Sequence, residues 1–218
     1  MNLDIEKKIF EKENMNFIAG IDEVGRGSLI GPVVASAVIF PKEIFQCKFP
    51  IEGINDSKKI SEQKRKKVYS QIVEYAVSIG VGIVGEKTID RINIFKATQL
   101  AMEKSIECLK IKPNFLLIDG KHFKNFKISF QTIVKGDEKS ISIAAASIIA
   151  KVTRDEMMKK FQDEFPNFSF IQHKGYATKK HFEEIEKFGQ TKIHRKTFFL
   201  KGWKKTKQTQ ENFLNKLQ

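Results

Sequence analysis

Four carboxylates stand beside glycines at the places where predicted strands end. Asp22 and Glu23 close one apolar run, Asp119 closes FLLID, and Asp137 follows SFQTIV. Adjacent acids in an apolar context are costly to bury unless they are paired, hydrogen-bonded or bound to a cation. Ligands of α/β sheets gather outside the carboxyl ends of parallel strands, so these acids are candidates for one shared site. Carboxylates without neighbouring histidine or cysteine are typical ligands of Mg²⁺ or Mn²⁺.

The position of Asp22 next to Glu23 raises a geometric difficulty. Successive side chains of a strand face opposite sides of the sheet, so both acids reach one site only if the strand ends or bends there. Gly25, two residues after Glu23, favours such an end. The alternative is that the acids are turn formers and salt-bridge partners, which is an ordinary role for Asp119 and Asp137 beside glycine.

Gly25, Arg26 and Gly27 place one cation between two residues without side chains. A turn of this kind lets backbone N–H groups approach a phosphate or a sugar. A tight hairpin with a solvated arginine has the same sequence, so the three residues alone leave both interpretations open.

Composition limits the possible partners and compartments. The net charge of +13 over 218 residues indicates a polyanionic partner, either nucleic acid or an anionic membrane surface. Cys47 and Cys108 stand far apart, which is typical of a reducing compartment rather than of a disulfide scaffold or a zinc site. The longest apolar stretch, ISIAAASIIA, is too short to span a bilayer, so we expect a cytoplasmic protein without membrane contact.

The elements that must position these residues follow from the apolar patterns. Strands are predicted at 17–23, 32–40, 76–85, 115–119 and 129–134, with the first two paired and the last two joined by a polar hairpin. Helices are predicted at 61–76, 93–110 and 141–164. This mixture predicts an α/β fold with a mixed central sheet flanked by helices. We expect residues 1–165 to form the core and 166–218, rich in basic and aromatic residues, to form a small helical substrate-binding segment of the same domain.

GIDEVGRGSLIGPVVASAV closely resembles the signature of the ribonuclease HII family, the type 2 ribonucleases H. The resemblance continues in the family's order through NDSKKIS, NIFKATQLAM, LLIDG, IVKGDEKSISIAAASIIAKVTRD, HKGYATKKH and GQTKIHRKTF, roughly over residues 17–200. It implies a ribonuclease H-like fold and hydrolysis of RNA within RNA–DNA hybrids. It also implies incision 5′ of single ribonucleotides in duplex DNA, as in ribonucleotide excision repair, leaving a 3′-hydroxyl and a 5′-phosphate. Val24 and Ser28 depart from the family's usual alanine and proline, which bears on the rigidity of the loop.

The resemblance also implies roles for particular residues. The family's acids fall on Asp22, Glu23, Asp119 and Asp137, which would bind two Mg²⁺ or Mn²⁺ ions. Substrate binding is implied for a second set: Gly25, Arg26, Gly27, Lys58 and Tyr176. Asp155 is a supporting candidate at the site, with a helix salt bridge to Lys151 or Lys159 as the alternative. The implied partners are RNA–DNA hybrid and ribonucleotide-containing duplex DNA, bound by a monomer.

Two further groups of residues remain ambiguous in the sequence. His173, His181 and His194 match no metal or acid–base spacing, so we expect them at the surface as polar groups. The stretch 192–207 carries many lysines and arginines and no acid, which favours either phosphate contact or a solvated basic face.

Two competing functions use the same features. A non-catalytic nucleic-acid-binding module would use the acids only structurally, although carboxylates near phosphates hinder binding unless metals are present. A two-metal nuclease or integrase acting on DNA alone would not need the ribose contacts implied by GRG and KGY.

Overall fold

The computed structural model describes residues 4–12, 15–46, 49–54 and 61–198. Its helices and strands follow in this order: α1 (Asp4–Lys12), β1 (Ile18–Val24), β2 (Val33–Ile39), α2 (Glu62–Tyr75), β3 (Ser78–Val84), α3 (Glu86–Ile92), α4 (Ile94–Glu107), β4 (Phe115–Asp119), β5 (Ser129–Ile133), α5 (Ile141–Glu164), α6 (Phe170–His173) and α7 (Lys179–Phe188). Short 3-10 turns occupy Lys42–Phe45 and Gly136–Glu138. No helix of the described residues is long and apolar enough to cross a membrane.

The five strands form one mixed sheet in the order β3-β2-β1-β4-β5. β1 pairs antiparallel with β2, and β2 with β3, whereas β1 and β4 run parallel, as do β4 and β5. The predicted strands and the mixed sheet are therefore confirmed. So is the helix after Ser61, whose hydroxyl accepts a hydrogen bond from the Lys64 N–H and caps α2.

The prediction of a hairpin between β4 and β5 is wrong. The two strands are parallel, so residues 120–128 must cross from one end of the sheet to the other. Phe123 is buried in this crossover, and Phe126 and Ile128 pack against the same core cluster. Apolar anchoring of a segment that looks polar in sequence explains why it does not turn back as a hairpin.

Helices cover both faces of the sheet. α5 packs on β1 and β2, and α4 packs on β3 and β2 from the other side. Two glycines allow this close approach, because a Cβ at Gly20 would overlap the Ser142 carbonyl and one at Gly82 would overlap the Ala101 carbonyl. β1 is therefore held against α5 at short range.

The described residues after 166 pack onto the loop between β1 and β2. Phe168 and Phe170 form a buried cluster with Leu29 and Ile30 of that loop and with Met158 of α5. The backbone continues this contact, since the N–H of Leu29 donates to the carbonyl of Gly175 at 2.8 Å. Residues far apart in sequence thus meet on the loop that carries the GRG turn (residues 25–27).

Candidate active site

A cleft of about 420 Å³ opens at the end of β1. Acids from β1 and β4 line one part of it, and cations from the GRG turn, α2 and α5 line another. Its charged lining residues are Asp22, Glu23, Asp119, Arg26, Arg65 and Lys151. Gly25, Gly27 and Tyr176 also line the cleft.

Asp22 and Glu23 both reach this cleft without breaking the alternation of the strand. β1 stays in regular register with β2 as far as Val24, but its pairing with β4 stops at Ile21. Asp22 lies on the α5 side, where the side chain of Ser147 is close enough to favour its charged form. Glu23 lies on the other side, and both reach the cleft because it opens at the end of the sheet beyond the β1–β4 pairing. The predicted difficulty is resolved by the strand end, with Gly25 at φ +91° immediately after it.

Asp119 and Asp137 are held close to one another by the backbone between them. Asp119 is the last residue of β4, and its Oδ1 accepts a hydrogen bond from the Gly136 N–H at 2.6 Å. Asp137 follows in the 3-10 turn and is buried beside the cleft rather than lining it. The structure therefore brings three of the predicted acids into one cleft and leaves the fourth next to it.

The electrostatics of the acids show that the cleft concentrates negative charge. Burial, followed by the nearby charges of Glu23 and Asp119, holds the pKa of Asp22 well above its usual range. Burial also raises the pKa of Glu23, an effect partly offset by Arg26, whose Nη1 donates to Glu23 Oε1 at 3.0 Å. A cation bound between these carboxylates would favour their charged forms and so lower both raised pKa values.

The acids suit a divalent metal in donor type, although they are not arranged around one. Within the described ranges, no three histidine, cysteine, aspartate or glutamate side chains form a group that could hold a metal ion as they stand. However, Glu23 Oε2 is buried and has no hydrogen-bond partner among the described residues. An all-carboxylate set with such an oxygen fits a hard cation such as Mg²⁺ or Mn²⁺.

The GRG turn and Tyr176 line the same cleft as the acids. Tyr176 is 37% exposed, and its Cε1 lies 3.9 Å from the position that a Cβ on Gly27 would occupy. The guanidinium of Arg26 is exposed on one side and lies 6.0 Å from the ring centroid of Phe123. The arginine of the turn is thus tied to Glu23 rather than freely solvated.

Asp155 is tied to cations of the cleft. Its Oδ1 accepts from Lys151 Nζ at 2.6 Å, and its Oδ2 lies 3.9 Å from Arg65 Nη1. Lys159, the other partner that the spacing allowed, instead pairs with Glu156 and Glu62. Burial lowers the pKa of Lys151, and the bond to Asp155 opposes that effect.

The prediction that three histidines lie at the surface is wrong: His173, His181 and His194 are all buried. His173 Nε2 lies 3.0 Å from a carboxylate oxygen of Glu184, and its Nδ1 accepts from the Gly175 N–H at 3.1 Å. The Nδ1 of His181 lies 3.0 Å from the Tyr176 carbonyl oxygen and donates to it, because a carbonyl can only accept.

These histidines form a stacked group beneath the segment that carries Tyr176. The rings of His173 and His181 stack with their centroids 4.1 Å apart, and those of His181 and His194 are 5.4 Å apart. Burial lowers the pKa of His181 to about 4 and that of His194 to about 3. The rings are therefore neutral packing and hydrogen-bonding groups that support the Tyr176 backbone.

Two arginines that the sequence reasoning missed lie behind the GRG turn. Arg154 of α5 and Arg195 are among the most deeply buried side chains of the described structure. One signal was available for Arg154, since Ala150 and Met158, one helical turn before and after it, are both apolar. Arg195 lies in a basic stretch, where no pattern distinguishes a buried arginine from a solvated one.

Some of the predicted substrate contacts lie outside the described residues. Lys58 does, as do residues 199–218 with most of the basic stretch. Within the described part of that stretch, Lys192 pairs with Glu164 and Arg195 is buried, so Arg195 is not an exposed phosphate contact.

Comparison with known proteins agrees with this architecture. The family model described as ribonuclease HII matches residues 19–205. Ribonuclease HII of Clostridioides difficile strain 630 is 53% identical over 194 residues, which cover 87% of this chain and 74% of the relative. Ribonuclease HII of Caldanaerobacter subterraneus subsp. tengcongensis is 51% identical over 200 residues, covering 90% and 80%.

A solved structure shares the fold over almost its whole length. Ribonuclease H2 from Pyrococcus horikoshii superposes with a TM-score of 0.71 at 25% sequence identity, covering 91% of this chain and 99% of that one. Together with the mixed sheet, these matches show that the chain belongs to the ribonuclease HII family, the type 2 ribonucleases H, which are hydrolases acting on RNA paired with DNA.

Proposed function

We propose that this chain is a metal-dependent endoribonuclease that cleaves RNA in RNA–DNA hybrids and also incises duplex DNA 5′ of a single ribonucleotide. The products are a 3′-hydroxyl and a 5′-phosphate. The observation that carries the proposal is one cleft lined by three carboxylates and also by the GRG turn and Tyr176. The carboxylates suit phosphodiester hydrolysis, and the turn and the tyrosine suit contact with a sugar.

Asp22, Glu23, Asp119 and Asp137 are the residues proposed to hold two Mg²⁺ or Mn²⁺ ions. When bound, such ions activate water and neutralise charge on the phosphate and the leaving oxygen. Convergence of three acids, the raised pKa of Asp22 and the unpartnered Oε2 of Glu23 support this assignment. Asp137 is supported by its place directly after Gly136, whose N–H binds Asp119.

The GRG turn and Tyr176 are proposed to read the ribose. RNA differs from DNA by the 2′-hydroxyl, which both donates and accepts hydrogen bonds. Gly25 and Gly27 leave backbone groups accessible at the cleft, and Arg26 reaches it with a cation. The exposed face of Tyr176 beside Gly27 is placed to pack on the sugar that follows the ribonucleotide.

Arg65 and Lys151 are proposed to bind a backbone phosphate of the substrate. Both line the cleft, and they share one carboxylate, so the group retains a net positive charge. In this proposal Asp155 orients the two cations and is not a metal ligand. Residues 166–218 and Lys58 are proposed to extend the substrate contacts away from the cleft.

The proposed enzyme acts as a cytoplasmic monomer. Its two lone cysteines suit a reducing compartment.

One assay tests substrate and mechanism together. Duplex DNA carrying one ribonucleotide is incubated with the protein in Mg²⁺ or in excess chelator, with all-DNA duplex and RNA–DNA hybrid as parallel substrates. We expect cleavage 5′ of the ribonucleotide and within the hybrid in Mg²⁺ only, and none of all-DNA duplex. Asp22→Asn should abolish cleavage, whereas Asp163→Asn on the exposed surface of α5 should not.

Each failure in this assay removes a different part of the proposal. Undiminished cleavage in chelator would exclude the metal mechanism. Cleavage of all-DNA duplex would favour the competing DNA nuclease. Binding of all substrates without any cleavage would favour the non-catalytic binding module.

A further inference from the structure

Arg154 and Arg195 carry buried charges that no carboxylate neutralises at ion-pair distance within the described structure. Arg154 is 0% exposed and Arg195 is 1% exposed. Burial of an arginine is costly unless its donors are satisfied, and apolar residues of similar volume are often equally stable in such places. Their donors bind the backbone of the loop between β1 and β2, which indicates that the role of the two arginines is to fix the conformation of this loop.

Arg195 holds three carbonyl groups of this loop. Its Nε donates to Gly31 O at 2.9 Å, its Nη1 to Arg26 O at 3.0 Å and its Nη2 to Gly25 O at 2.8 Å. The planar fork of arginine suits several acceptors fixed in one plane, which the single ammonium of lysine cannot match. The backbone around it also pairs with the loop, since the Arg195 N–H donates to Leu29 O at 2.8 Å.

Arg154 joins the same loop to the segment before Tyr176. Its Nη1 donates to Lys174 O at 3.0 Å, and its Nη2 donates to the Ser28 hydroxyl at 2.7 Å. Its Nε donates to Pro32 O at 3.2 Å. One side chain therefore fixes the distance between the loop and the Tyr176 segment.

The arginines also determine which way the peptide groups of the GRG turn face. In a trans peptide the carbonyl of one residue points opposite to the N–H of the next. Because Arg195 binds the carbonyls of Gly25 and Arg26 from behind the turn, the N–H groups of Arg26 and Gly27 point the other way. Both residues line the cleft, so this orientation aims two backbone donors at the substrate.

Gly25 is part of the same arrangement. Its φ of +91° is strained for other residues, and a Cβ there would overlap the Arg154 side chain. The first glycine of the turn therefore makes room for the arginine behind the turn as well as for the turn itself.

We propose that Arg154 and Arg195 are positioning residues that hold the donors of the GRG turn and the Tyr176 ring at a fixed separation, and so set selectivity for a single ribonucleotide. The inference rests on the proposed function, because it assumes that these two features read the ribose. Neither arginine is proposed to touch the substrate.

The test compares Arg154→Lys and Arg195→Lys with Arg91→Lys, a change at an exposed arginine of α3. Lysine keeps the charge but loses most of the carbonyl contacts. The first readout is amide hydrogen exchange at Leu29 and Gly31, which we expect to quicken by about tenfold or more if one charged hydrogen bond is lost. The second is the ratio of kcat/KM on single-ribonucleotide duplex to kcat/KM on RNA–DNA hybrid. We expect this ratio to fall by about tenfold in both variants and to stay constant in Arg91→Lys.

The outcomes separate this inference from the proposed function. If Arg26→Lys and Tyr176→Ala lower the ratio but the two buried variants keep it, the positioning role is overturned while ribose reading stands. If all four variants keep the ratio, ribose reading by the GRG turn and Tyr176 is wrong as well. Unchanged hydrogen exchange in Arg195→Lys would also overturn the inference.

A second variant covers the case in which the lysine variants do not fold. Ser28→Ala removes the hydroxyl that accepts from Arg154 without changing a charge. We expect a smaller fall of the same ratio, by about threefold, with amide exchange at Leu29 quickened. A folded Ser28→Ala protein with the ratio and the exchange of the unaltered chain would overturn the role of Arg154.

Discussion

At the scale of single residues, the two carboxylate oxygens of Glu23 have different surroundings. Arg26 binds one of its oxygens at 3.0 Å, while the other oxygen is buried without a hydrogen-bond partner in the described structure. A metal bound by the acids must compete with Arg26 for this carboxylate. Glu23 is therefore the residue at which the proposed metal site and the proposed ribose contacts affect one another.

Arg26→Gln should tighten metal binding while weakening substrate selectivity. Without the guanidinium, Glu23 is no longer held in an ion pair, and we expect the affinity for Mg²⁺ or Mn²⁺ to rise by about 1.4- to fivefold, the equivalent of a surface ion pair of about 0.2–1 kcal/mol. Isothermal titration of the metal-free protein measures this change, with Arg91→Gln as the control. Equal or weaker affinity in Arg26→Gln would show that Glu23 is not a ligand.

Lys151→Met should raise KM and reduce its dependence on salt. If Lys151 neutralises one phosphate, its loss should lower the slope of log affinity against log salt concentration by about 0.7–0.9. Lys159→Met is a matched control on the same helix, because Lys159 pairs with Glu156 and Glu62 away from the cleft. Equal slopes for the two variants would contradict a phosphate contact.

At the scale of elements, α5 is the support of the site. Ser147, Lys151, Arg154 and Asp155 stand at intervals of three and four residues and therefore share one face of the helix. Ser147 contacts Asp22, Lys151 lines the cleft and is paired with Asp155, and Arg154 holds the loop. The position of α5 against β1 consequently controls the whole cleft.

Gly20→Ala should therefore destabilise the fold and reduce activity together. The added methyl group would overlap the Ser142 carbonyl and push α5 from β1, which costs about 1–3 kcal/mol or more for overpacking. Urea unfolding measures the free energy of unfolding. Gly85→Ala is the control, since its Cβ would meet nothing within 4 Å; because Gly85 is the N-cap of α3, the change should cost no more than about 1 kcal/mol and leave activity unchanged.

Most of these elements could be predicted from the sequence because their signals are local. Ser61 precedes α2, and the apolar runs of β1 and β2 have the right length and spacing. The crossover at 120–128 could not be predicted, since the burial of Phe123 depends on helices elsewhere in the chain. The acids of the cleft were recognisable because each stands at a strand end, within two residues of a glycine.

At the scale of the whole molecule, the support of the cleft comes from three distant parts of the chain. The loop around the GRG turn, the segment before Tyr176 and the segment around Arg195 meet only in the folded state. No local pattern marks such a contact, so Arg195 and the histidine group escaped prediction. A basic stretch and scattered histidines have the same composition whether they are solvated or buried.

The buried histidines should make stability depend on pH. The pKa values of His181 and His194 are lowered from 6.5 to about 4 and about 3, so the unfolded chain takes up protons near pH 6.5 while the folded rings stay neutral. The contribution of the two neutral rings to the free energy of unfolding is complete above pH 6.5 and is lost as the pH falls towards 4. His194→Gln should show a shallower fall of the free energy of unfolding between pH 7 and pH 5.

Urea unfolding at pH 7, 6 and 5 measures this difference. His122→Asn serves as the control because His122 is exposed. Since Asp22 has a raised pKa and acts in the opposite direction, the comparison is between variants and not between pH values of one protein. The same pH slope in His194→Gln as in the unaltered chain would contradict the assignment of His194 as a neutral buried ring.

Asp22, Lys151 and the loop that carries the GRG turn all contact the single helix α5 or belong to it, which has a consequence for the substrate. A cleft held by one continuous helix has little freedom to adjust, so a close fit requires the duplex to deform. Pyrimidine–purine steps bend and unstack more easily than stiff A-tracts. We therefore expect the rate of cleavage at a lone ribonucleotide to be higher where the surrounding DNA contains such flexible steps.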